Sequence, residues 1–120
     1  MELTSVKKKR ISVILSENAV KEIHEKMLDE GYSLREKSKW ISEAIDDFLK
    51  LKEFQSLVEM AELVNDYTKN ETIYITPEIE EKLDEAILKV RTQYPILEGV
   101  KSLIVRASIV RRLVLLGKRK

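Results

Sequence analysis

Arg10, Ser12 and Ile14 occupy alternate positions of the run Arg10-Ile11-Ser12-Val13-Ile14-Leu15-Ser16. Asn70, Thr72 and Tyr74 do the same in a second run that ends at Thr76. Successive side chains of an extended strand point to opposite faces. Each set of three therefore shares one face, and Ile11, Val13 and Leu15, like Ile73 and Ile75, share the other. The outward sets are rich in hydrogen-bonding groups. Arginine carries a planar fork of donors, asparagine offers an acceptor beside two donors, and the hydroxyls of Ser12 and Thr72 donate or accept. Such groups are suited to recognising the edge of another molecule.

Catalytic chemistry finds little support elsewhere. The chain has no cysteine, which excludes a disulfide framework and a thiolate zinc site. Its single histidine, His24, lies among Glu22, Glu25 and Lys26, is expected to be exposed, and cannot form a metal cluster alone. Asp46-Asp47 and Glu80-Glu81 are neighbours on helices, where adjacent side chains do not face one another, so neither is an acid–base pair. With no nucleophile–base pair and no phosphate-cradling glycine loop, neither an enzyme nor a cofactor is expected.

The 120 residues allow one small domain or two very small ones; 43% hydrophobic content supplies a core, and 36% charged residues with three glycines suit a largely helical soluble protein. The weight of Lys, Glu, Ile and Leu without cysteine also fits a thermophilic source. The N-terminus is polar and basic, without the apolar stretch of a signal peptide, and Leu113 to Leu116 is too short to span a membrane, so the expected compartment is the cytoplasm. The net charge of +1 hides a strong partition. Residues 1–16 carry +3, residues 99–120 carry +7 with no acid, and the middle carries −9. A focused basic face follows if the two ends meet in space.

The elements that must position the two strands can be read in order. Ser16 or Asn18 caps a first helix with Ala19, Ile23 and Met27 on its buried face, and Gly31 ends it as a left-handed cap. A second helix begins near Ser38 and carries Trp40, Ile41, Ala44, Ile45, Phe48 and Leu49. Its apolar pattern runs on through Phe54, Leu57, Val58, Ala61 and Val64, either as one long helix or as two joined near Lys52. Residues 65–70 form the linker. After the second strand, Thr76 caps a helix that starts at Pro77 and buries Ile79, Leu83, Ala86, Ile87 and Val90. Pro95 and Gly99 break the chain before a last helix with Leu103, Ile104, Ala107, Val110, Leu113 and Val114. Trp40 is expected in the core or at the edge of a helix interface, and Arg111 and Arg112 on a solvent face or paired with the acidic middle.

Both halves thus read strand, helix, turn, helix. Val13 with Ile73, Leu15 with Ile75 and Ile23 with Leu83 keep one offset, whereas Ile41 pairs with Val110 at a larger one, which predicts a longer inter-helix turn in the second half. Glu71 stands where the first half has Ile11, which predicts a second strand that is shorter or frayed.

This pattern resembles the ribbon-helix-helix, or MetJ/Arc-like, family of DNA-binding proteins. The carrying residues are Lys9 to Ser16 and Lys37-Ser38-Lys39-Trp40-Ile41-Ser42-Glu43-Ala44-Ile45, with a second copy in Thr72 to Thr76 and Arg106 to Arg111. A tandem pair in one chain is similar to the plasmid-transfer protein TraY and to archaeal-virus transcriptional regulators of the AvtR type. The resemblance implies an α+β, mostly helical protein: a first unit over 1–50, a helical linker over 51–69 and a second unit over 70–120. The two strands pair antiparallel under four or more helices, within one chain or swapped between two. It implies a transcriptional regulator, repressor or activator, of double-stranded DNA, acting in the host cytoplasm if viral. The chain would form a homo-oligomer through its helices, with no membrane or small-molecule partner.

A two-stranded ribbon fits the major groove. Arg10, Ser12, Ile14, Asn70, Thr72 and Tyr74 would then face the bases, Arg10 matching guanine and Asn70 adenine, with Ile14 either touching a thymine methyl or adding nothing specific. Two unlike strands imply an asymmetric site. Phosphates would be held by Lys7, Lys8 and Lys9 and at the second helices' N-termini by Lys37, Ser38, Lys39, Lys101, Arg106 and Ser108. The rival expectations are a relaxosome-type DNA-processing or partition accessory protein and an antitoxin-like protein-interaction module.

Overall fold

The computed structural model describes residues 8–61 and 69–118, with side chains over 8–58 and 69–114. The chain is α+β and mostly helical. Its order is β1 (Lys9–Leu15), α1 (Glu17–Asp29), a 3₁₀ turn (Leu34–Glu36), α2 (Lys37–Leu49), α3 (Phe54–Ala61), β2 (Lys69–Ile75), α4 (Pro77–Gln93) and α5 (Val100–Lys118). Among the described residues no helix is long and apolar enough to cross a membrane.

Local chemistry sets the element boundaries. Ser16, not Asn18, caps α1: its Oγ accepts the Ala19 N–H at 3.0 Å. Thr76 caps α4 in the same way, accepting from Ile79 at 3.3 Å, with Pro77 in the first turn where its missing N–H costs nothing. Gly31, at φ +88°, closes α1, and the Tyr32 N–H donates back to the Met27 carbonyl at 2.8 Å. The apolar run after α2 is two helices rather than one, because Leu51, Lys52 and Glu53 form a turn between α2 and α3.

β1 and β2 pair antiparallel within the chain, and their register centres on Ser12 opposite Thr72. Ile11, Val13, Leu15, Ile73 and Ile75 are buried beneath this ribbon. The halves are interwoven: α2 packs along β2, α5 along β1, and α2 and α5 pack on each other. Trp40, Ile41, Ile45 and Phe48 of α2 meet Ile104, Ile109 and Leu113 of α5 in one core, closed by Ile23, Met27, Leu83 and Val90. Phe54 and Val58 of α3 join it, while Leu57 stays exposed. Neither half buries its apolar faces without the other.

Two expectations about the repeat are corrected. β2 is neither short nor frayed; it matches β1 in length, and Glu71 is accommodated on its inner side by an ion pair with Lys37 of α2. The second helices do not align through Ile41 and Val110, because Ile41 is fully buried and Val110 is 47% exposed. The buried set Trp40, Ile41, Ala44 and Ile45 is matched by Ile104, Val105, Ser108 and Ile109, an offset of 64 against 60 in the strands and first helices. The four extra residues lie in α4, which has 17 residues against 13 in α1. The connection 94–99 is no longer than 30–36, so the second turn is not the longer one.

Candidate nucleic-acid interface

The ribbon's outer face gathers all six side chains expected to read bases. The register sets them in three cross-strand pairs: Arg10 opposite Tyr74, Ser12 opposite Thr72, and Ile14 opposite Asn70. Arg10, Ser12, Ile14, Asn70 and Tyr74 are exposed and Thr72 is half-buried. Side chains directly opposite on one face lie about 5 Å apart, so the six form a compact strip two residues wide and three long. The strip follows from strict alternation: every second residue is committed to the core, and the ones between have nowhere to go but out.

The outer edges of the ribbon are held by the helices beside them. Ser38 Oγ accepts the Tyr74 N–H at 2.9 Å, using a strand-edge donor that β1 does not reach. On the other edge Arg106 Nη1 donates to the Ile14 carbonyl at 3.5 Å. Both positions expected at phosphates thus also fix the backbone under a side chain expected to read bases. Lys8, Ser38, Lys39 and Ser42 line an open groove of about 590 Å³ that begins at Tyr74. Glu43, Asp46, Asp47 and Glu78 line the same groove, as do Lys82 and Arg112, so it carries charges of both signs.

The remaining phosphate expectations divide. Lys39 is exposed, 3.9 Å from Glu36 and 5.9 Å above the Tyr32 ring. Lys9 is exposed but held at 2.6 Å by Glu80 of α4, and the hydrogen bond and charge of that carboxylate raise its pKa above the ordinary lysine value. Lys101 is half-buried near the start of α5. Lys37 is half-buried and paired with Glu71. Ser108 is corrected outright: it is 1% exposed and its hydroxyl donates to the Ile104 carbonyl at 2.7 Å, so it belongs to the core. Lys7 lies outside the described residues.

Sequence reasoning missed one groove residue. Ser42, one helical turn beyond Ser38, lines the groove with it, and that i, i+4 spacing was the available signal. Arg112 is a packing hub between the helices rather than a surface residue. It donates to the Trp40 carbonyl at 2.7 Å and to Glu30 at 2.8 Å, with its guanidinium 4.4 Å from the Trp40 ring centre. Of the two expectations for Arg112, a solvent face or pairing with acids of the chain's middle, the pairing is the one observed. No family model matches this chain, and no curated protein or solved structure matches it either.

Proposed function

We propose that the protein is a sequence-specific double-stranded DNA-binding transcriptional regulator of the ribbon-helix-helix kind that inserts its two-stranded ribbon into the major groove. The observation that carries this reading is the outer strip itself: six side chains in three in-register pairs, mostly polar, uncovered by any described element, on a ribbon whose other face is buried. Strands about 4.8 Å apart fit a groove about 12 Å wide with room for side chains on the base edges. Lys8, Lys39 and the hydroxyls of Ser38 and Ser42 share a groove with Tyr74 of the ribbon, and groups of these kinds can hold phosphates, which supports the reading.

The test is binding to the DNA upstream of the protein's own gene against scrambled DNA across a salt series, with Arg10→Ala/Ser12→Ala alongside. Tight binding with a footprint is expected, and the double variant should lose its preference while keeping its fold. The log–log salt slope should be about −0.9 for each phosphate neutralised. Failure of the folded protein to bind either DNA at low salt would refute the proposal.

A further inference from the structure

We infer that the ribbon reads a DNA site whose two ends differ in kind: a G·C pair under Arg10 and, about four base pairs away, an A·T pair under Asn70. This rests on the DNA reading proposed above and names the class of site it takes.

The register carries the argument. The pseudo-two-fold that relates the halves passes through the Ser12–Thr72 pair, exchanging Arg10 with Asn70 and Tyr74 with Ile14. A symmetric ribbon would show the same pair at both ends; this one shows Arg10 with Tyr74 at one and Asn70 with Ile14 at the other. Asparagine bonds to N6 and N7 of adenine, and the same A·T pair displays the thymine methyl beside them. Ile14 lies directly across from Asn70 and is 45% exposed, a large aliphatic side chain on an otherwise polar strip. A methyl is the feature of a base edge that such a side chain can use. At the other end the Arg10 fork matches O6 and N7 of guanine, and the Tyr74 hydroxyl opposite can accept from the cytosine amino group.

The centre fits the same scheme, since the hydroxyls of Ser12 and Thr72 tolerate either base pair. The end residues are also held in place, Tyr74 through the Ser38 hydroxyl and Ile14 through Arg106. Arg10 and Ile14 are four strand residues apart, roughly 13 Å. At about 3.4 Å per base pair this spans about four pairs.

The experiment is selection from a randomised duplex library by the full chain and by Arg10→Ala and Asn70→Ala, each exposed position checked for unchanged circular dichroism. A non-palindromic consensus is expected, with guanine at one end and A·T about four pairs on. Arg10→Ala should relax the guanine alone and Asn70→Ala the A·T alone, each by about 5- to 150-fold, the range of one bidentate contact. Deoxyuridine in place of the thymine should weaken the wild type about 4-fold, the worth of one buried methyl, and leave Ile14→Ser unaffected. A palindromic consensus, ends that read alike, or two variants relaxing the same position would overturn the inference while leaving DNA binding intact. Wild-type protein that binds no duplex at low salt would instead refute the underlying DNA reading.

Discussion

Replacing Arg112 by alanine should destabilise the protein by about 3 kcal/mol. Its guanidinium donates to the Trp40 carbonyl at 2.7 Å and to Glu30 at 2.8 Å, approaches Glu43 and the Tyr32 hydroxyl at 3.4 Å each, and stacks on Trp40. The Arg112 and Glu30 side chains are only 17% and 21% exposed, so solvent screens the pair weakly. Two hydrogen bonds from a charged donor contribute about 1.5–3 kcal/mol each before the freed carboxylate rehydrates, and stacking adds about 0.5–1 kcal/mol. Partial rehydration brings the net to about 3 kcal/mol, a large share of a typical stability of about 5–15 kcal/mol. Arg112→Lys keeps the charge but not the fork and should lose about half as much. Urea unfolding followed by circular dichroism measures both, and a double-mutant cycle with Glu30→Gln should return a coupling of at least about 1 kcal/mol. A loss below about 1 kcal/mol for Arg112→Ala would refute the view that this side chain ties α5 to α2 and to the end of α1.

Three further outcomes follow from other contacts. Glu80→Gln should release Lys9 from its 2.6 Å ion pair and steepen the log–log salt slope of DNA binding by about 0.9; anisotropy titrations in a potassium chloride series would show it, and an unchanged slope would remove Lys9 from the phosphate contacts. Lys37→Met and Glu71→Ile should each destabilise by about 1–3 kcal/mol by stranding a partly buried charge, whereas the double variant should melt within a few degrees of the wild type. The Lys82 hydrogen bond, aided by the charges of Lys82 and Lys50, holds the Asp46 carboxyl below its ordinary value. A depressed carboxyl contributes stability that is present above the unfolded pKa of about 3.9 and is lost as pH falls through the folded one. Thermal melts should therefore drop as pH falls below about 4, and Asp46→Asn should flatten that acid limb.

The ribbon and its outward strip were legible in the sequence because alternation is a local property, fixed by neighbours two residues apart. The caps Ser16 and Thr76 and the turn at Gly31 were legible for the same reason. The environment of the cations was not, because it depends on residues distant in sequence. Lys37 meets Glu71, Lys9 meets Glu80 and Arg112 meets Glu30, and each of these partners comes from the other half of the chain. Ser108 is a different kind of miss. It stands in the buried pattern of α5 where Ala44 stands in α2, a small residue at a close helix contact. Aligning Ile41 with Val110 instead of Val105 hid that equivalence, and only burial reveals that the extra turn belongs to α4. The same interweaving explains how an acidic middle and two basic ends coexist in one small core. Among the described residues the halves supply each other's counter-charges, and the exposed cations on the ribbon side include Lys8, Arg10 and Lys39. On the proposed DNA reading, a surface so sparingly charged would draw less of its affinity from phosphates, and discrimination would rest on the three cross-strand pairs of the strip.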